Sequence, residues 1–212
     1  MPEHYKEHIN LNTHIAVWKI SESEIDLAKG LELSKEALAR LSQRRSTGNR
    51  KEYLAVRQLL KIYNINPLIH QYDKNGAPYL TDGRYLSISH TKDVAAIAIS
   101  SQPVGIDLEL YQEKIIRIAP RFLHLKESLD LNKNKNIHYL SQIWTAKEAL
   151  YKVHRKPGIN FKTQLLIDPI EANSKEGIGS VFYKNRIKKY KLHFRYFDNF
   201  CLSLAITKKN DV

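Results

Sequence analysis

Cysteine is almost missing from this chain of 212 residues: Cys201 stands alone, so neither an intrachain disulfide framework nor a cysteine-ligated metal centre can form. It lies in the apolar run FCLSLAI at 200–206 and reads as a small buried hydrophobe. Long apolar runs are missing too. No stretch approaches the length of a membrane span, and the opening MPEHYKEHIN is charged where a secretory leader would be apolar. Both absences point to a cytoplasmic protein with no membrane partner. His90 has no second histidine at metal-ligand spacing, which argues against zinc. No helix-turn-helix, zinc-finger or RNA-recognition signature occurs. The run YKNRIKKYK at 183–191 mixes basic and aromatic residues but reads as an exposed basic hairpin, so no nucleic-acid partner is expected. Acidic residues are the scarce charge, 22 against 34 Lys and Arg, for a formal net charge of +12. That imbalance favours an acidic partner or an anionic cofactor.

What is present suits a folded protein: 42% of the residues are apolar, enough for one large domain or two small ones. The run at 15–20 reads as an opening strand, after which Ser21 or Ser23 can cap an acidic first turn. Leu31, Leu33, Leu38 and Leu41 read as one amphipathic segment and 52–62 as a second, more apolar helix, with the basic turn RRSTGNRK at 44–51 between them. KNGAP at 74–78 is a turn by composition. Strands are expected at 85–89 and 94–100, with His90 in the turn between them. A helix is expected at 115–125 despite Pro120, a polar loop at 132–136, a helix from about 141 to 153, and several short strands from 165 to 206. The segment at 93–100 is echoed at 198–207, and each follows a long helix. We expect an α+β fold of two similar halves, residues 1–104 and 105–212, related by a pseudo-twofold, each a small antiparallel sheet against a long helix.

The chemistry concentrates in GIDLE at 105–109 and WTAKEALYK at 144–152. On a strand, side chains two apart project from one face, so Asp107 and Glu109 sit side by side. On a helix, Glu148 and Lys152 are four apart and share a face. Three carboxylates and a lysine suit a hard divalent cation and the phosphate oxygens it bridges, if strand and helix pack together. Taken singly, each group has a plainer reading: a solvated strand edge, a surface ion pair, a turn histidine, and a basic helix face for Arg50 and Arg57.

These two strings, preceded by LSISHT at 86–91 and KNGAP, with RFLHLKE at 121–127 between the main motifs, resemble the signature set of the Sfp-type 4′-phosphopantetheinyl transferases. The resemblance covers about 50–152. It departs from the family pattern at Val56, where a glycine is common, and at His124, where a small hydroxyl residue is. It implies Mg2+-dependent transfer of 4′-phosphopantetheine from coenzyme A to a serine of an acidic acyl or peptidyl carrier protein. Adenosine 3′,5′-bisphosphate would be released, and such enzymes serve fatty acid or secondary-metabolite biosynthesis. By the same resemblance Asp107, Glu109 and Glu148 hold the metal, and Glu148 is the candidate base for the carrier serine, directly or through a metal-bound water. Arg50, Arg57 and His90 meet coenzyme A phosphates, Lys74 and Ser89 the adenosine end, and Lys147 and Lys152 the diphosphate. A monomer is expected. The alternative is a non-catalytic basic module on the same fold that binds an acidic protein or nucleic acid.

Overall fold

The computed structural model describes residues 3–130, 132–171 and 173–207. The chain divides into two compact units, Met1–Ser101 and Gln102–Val212.

The first unit opens with an antiparallel hairpin, β1 (Glu3–Asn10) and β2 (Thr13–Lys19). Then come α1 (Glu24–Ala28), α2 (Lys35–Ser42) and α3 (Thr47–Ile62), the small ribbon β3 (His70–Tyr72) and β4 (Pro78–Leu80), and the hairpin β5 (Tyr85–Thr91) and β6 (Val94–Ser100). The main sheet has the order β1-β2-β6-β5. Every residue of β6 is buried, as an inner strand under a helix requires, and α3 covers the sheet with Leu54, Ala55, Val56, Leu59 and Leu60. Ser23 caps α1 by accepting from the Asp26 amide, as expected.

Three expectations change. Leu31 and Leu33 precede α2 rather than share a helix with Leu38 and Leu41. The basic turn is half helix, because Ser46 accepts from the Asn49 amide and starts α3 at Thr47. His90 lies in β5, not in a turn: the hairpin closes over Lys92 and Asp93, whose φ of 60° serves the tight reversal.

The second unit comprises β7 (Val104–Leu110), α4 (Lys114–Phe122), α5 (Ile137–His154), and strands β8 (Leu165–Ile167), β9 (Glu176–Tyr183), β10 (Arg186–Tyr196) and β11 (Phe200–Thr207). Its antiparallel sheet has the order β7-β11-β10-β9-β8. The strands expected to be short include β10, of 11 residues. Leu140, Ala146, Ala149 and Leu150 of α5 are fully buried in the unit's core, and Cys201 is buried in β11 as expected. The helix ends at Arg155, which takes the left-handed conformation with φ 55°. The echoing segments become β6 and β11, each paired on both sides within its own sheet. Among the described residues no helix is long and apolar enough to cross a membrane.

Candidate active site

Gly105 sets the spacing between strand and helix. A Cβ there would stand 2.1 Å from the Ala149 carbonyl oxygen and 2.7 Å from the Val153 amide nitrogen, so the backbone of α5 rests directly on β7. Strand alternation turns Asp107 and Glu109 to the same side as Gly105, toward α5. Along that helix Trp144, Glu148 and Lys152 recur at intervals of four and form the facing stripe.

The contacts follow from this packing. The Lys152 ammonium donates to Asp107 Oδ1 at 2.7 Å and to the Ile106 carbonyl at 3.0 Å, and Asp107 is buried. Trp144 hydrogen-bonds the Glu109 carboxylate. Burial, with the negative charge of Asp107 next, raises the Glu109 carboxyl above its ordinary range; Lys114, Trp144 and Lys152 oppose the shift. The same two causes push Glu148 up to about 7, with Glu109 adding to the shift and Lys152 opposing it. Burial and mutual repulsion thus raise Glu109 and Glu148 together, and the lysines nearby offset only part of it.

The donor set, all carboxylate oxygen, has the chemistry a hard cation selects. Like charges crowded at low dielectric are also what a cation would relieve. Still, among the described residues no three His, Cys, Asp or Glu side chains are gathered into a metal cage. The structure brings Asp107, Glu109 and Glu148 within one another's electrostatic reach and lays Lys152 on Asp107.

Lys147 does not join them. Its side chain is fully buried and pairs with Glu127 at 2.7 Å. Its ammonium also donates to the carbonyls of Phe122, Phe161 and Leu165 at 2.6, 3.0 and 2.9 Å. Three N–H bonds already face four acceptors, so the expected contact with a diphosphate is replaced by a structural one. A helix turns about 100° per residue, which points Lys147 into the core beside the stripe that Glu148 joins. Glu127 completes the knot by accepting from the His124 and Ile167 amides at 2.7 and 2.8 Å. Sequence reasoning quoted Glu127 within RFLHLKE but gave it no role.

In the first unit the expected phosphate ligands go separate ways. Arg50 holds Glu24 in a bidentate pair, Nε to Oε2 at 2.9 Å and Nη2 to Oε1 at 2.5 Å. Arg57 is buried, 3.4 Å from the Tyr53 ring centroid, and donates to the Tyr72 hydroxyl at 3.2 Å. His90 Nδ1 lies 2.9 Å from Glu52 Oε2, and burial, then Asp93, raises the Glu52 carboxyl. Ser89, next in the strand, is buried on the opposite face of the sheet. Lys74 is exposed in a turn that the Asp73 carboxylate organises by accepting from the Asn75 and Ala77 amides.

Residues 103–205 match the model of the 4′-phosphopantetheinyl transferase superfamily. The chain is 35% identical over 98 residues to the 4′-phosphopantetheinyl transferase gsp of Aneurinibacillus migulanus, covering 45% of this chain and 41% of that protein. Over 89 residues it is 34% identical to the 4′-phosphopantetheinyl transferase Sfp of Bacillus subtilis (strain 168), covering 41% and 39%. A putative 4′-phosphopantetheinyl transferase of Synechocystis, slr0495, is 28% identical over 143 residues, covering 58% and 57%. The chain thus spans about two fifths of the length of gsp and Sfp. The matched family segment includes both β7 and α5. Residues 103–205 thus resemble the 4′-phosphopantetheinyl transferase superfamily, and the relatives they match include gsp and Sfp, both 4′-phosphopantetheinyl transferases.

Proposed function

We propose that this protein transfers the 4′-phosphopantetheine group of coenzyme A to a serine of an acidic acyl or peptidyl carrier protein, with Mg2+ as cofactor. The observation that carries the reading is the acid stripe: Asp107 and Glu109 on β7 face Glu148 on α5, with Lys152 bound to Asp107. Asp107, Glu109 and Glu148 would hold the cation, which when bound supplies positive charge to the diphosphate oxygens. The serine hydroxyl attacks the phosphorus attached to pantetheine, the bond to the leaving phosphate breaks, and adenosine 3′,5′-bisphosphate departs.

Glu148 takes the hydroxyl proton. It does so directly or through a water. Lys152 neutralises negative charge beside Asp107, since phosphoryl transfer depends on charge stabilisation and in-line positioning. His90, Ser89 and the Lys74 turn are assigned to the phosphate and adenosine parts of coenzyme A. Arg50 stays with that group only if Glu24 releases it. The net charge of +12 steers an acidic carrier toward the surface. We place the protein in the cytoplasm, as a monomer.

The test is direct. Apo-carrier proteins are incubated with the protein, coenzyme A and Mg2+ and weighed by mass spectrometry. The phosphopantetheine mass on a carrier serine, lost with chelator, is the expected result. Unmodified carriers throughout, with carrier or nucleic-acid affinity retained, would instead mark a non-catalytic binding module.

A further inference from the structure

The first unit holds a cavity of about 820 Å³, lined by the segment 30–34, α2, α3 and the segment 64–72. Apolar Leu33, Leu60, Ile65 and Leu68 line it. Arg40, Arg57, Lys61, Tyr53 and Tyr72 line it as well, and Arg44 stands beside Tyr53 outside the lining. Arg57, only 8% exposed, lies against the Tyr53 ring and bonds Tyr72. Arg40 covers the Tyr72 ring at 4.0 Å, and Arg44 lies 4.1 Å from the Tyr53 centroid.

Among the described residues none of these three guanidinium groups forms an ion pair with a carboxylate. The acids on the wall, Glu32 and Glu36, are exposed. A buried cation with two like charges beside it is costly when no anion accompanies it. Tyrosine faces relieve only part of that cost. On the same wall, His70 Nε2 is buried without a hydrogen-bond partner. Burial, then Arg57 and Arg40, holds that imidazole neutral down to about 3, so it can bond a ligand without adding charge. A volume of this size lies within the usual range for small-molecule sites.

We propose that this cavity is a binding site for an amphipathic organic anion, its head group on Arg57 and its apolar chain along Leu33, Leu60 and Ile65. A medium-chain alkyl carboxylate is the simplest such ligand, because a guanidinium fork matches a carboxylate and those three apolar side chains match a tail. The site does not depend on the transferase reading, since every wall residue belongs to the first unit.

Isothermal titration of the full chain with decanoate tests it, with hexanoate, inorganic phosphate and coenzyme A as further arms. Decanoate is expected to bind saturably at one site, more tightly than hexanoate and far more tightly than phosphate. Arg57→Gln and Leu33→Trp should each weaken it about tenfold or more. Arg40→Gln, at an exposed side chain that does not endanger folding, should weaken it about threefold. Absence of saturable binding, or decanoate affinity unchanged in both Arg40→Gln and whichever of the other variants folds, would overturn the proposal. So would equal affinity for phosphate and decanoate. Displacement of decanoate by coenzyme A would also overturn it, by giving the cavity to that cofactor's phosphates.

Discussion

The Lys152 ammonium lies 2.7 Å from Asp107 Oδ1 and 3.0 Å from the Ile106 carbonyl oxygen, so one side chain of α5 grips both a side chain and the backbone of β7. An acid so held is already charge-compensated. Asp107→Asn should therefore keep the fold, with a melting temperature within a few degrees of the parent, while carrier modification falls about a hundredfold or more. Initial rates by mass spectrometry and a thermal melt decide it. Near-parental turnover would remove Asp107 from the chemistry.

Glu148 gives a pH signature without any carrier. Its folded carboxyl is raised to about 7 from its ordinary 4.5, so the folded state binds the proton more tightly than the unfolded state. Stability from this group is complete below about 4.5 and is lost as pH rises through 7. In chelator, Glu148→Gln should gain about 1–2 kcal/mol over the parent at pH 8 and little at pH 4.5, after allowing for solvent screening. Urea melts at the two pH values measure the difference. A pH-independent gap would contradict the assigned shift.

Gly105 should tolerate nothing larger. Alanine there would place Cβ 2.1 Å from a backbone oxygen of α5, and backbone cannot swing aside as a side chain can. Gly105→Ala is expected to lower stability by about 3 kcal/mol or more and to abolish transfer, whereas Glu109→Ala should abolish transfer alone. Denaturation curves of the two variants separate these effects.

The Lys147–Glu127 pair should behave as an anchor. Lys147→Met leaves a buried carboxylate without its cation and should cost about 3–5 kcal/mol. In whatever fraction folds, the Michaelis constant for coenzyme A should stay within about twofold of the parent. A large rise in that constant with stability unchanged would restore Lys147 to the diphosphate.

His70 predicts an acid-side weakness. Its folded pKa is pushed down to about 3 from 6.5, so the unfolded state takes the proton first. Its contribution is present above about 6.5 and is lost as pH falls toward 3. His70→Gln should flatten that part of the stability profile, as followed by far-ultraviolet circular dichroism.

The acid stripe was legible because two short-range periodicities suffice to draw it: two residues along GIDLE and four along WTAKEALYK. Helix α3 and strand β6 were legible for the same reason, from dense apolar content. Strand β1 was not. Its sequence EHYKEHIN is polar because it is an edge strand paired only with β2, and polarity without a buried face looks like a tail. Partners distant in sequence were hidden as well. Arg50 finds Glu24 across 26 positions, and Lys147 finds Glu127 across a loop and about three turns of α5; no local pattern announces either pairing. His90 was misassigned by one hairpin residue pair, since the reversal needs only Lys92 and Asp93.

The knot around Lys147 also has a consequence for how this helix can change. It ties one ammonium to chain segments at 122, 127, 161 and 165, and that ammonium belongs to the neighbour of Glu148. A shift in any of those segments would act on α5 as a torque, and a rotation of only a few tens of degrees would carry Glu148 away from Asp107. Variation in the loop around Phe161 is therefore a means of tuning the acid's alignment without replacing it.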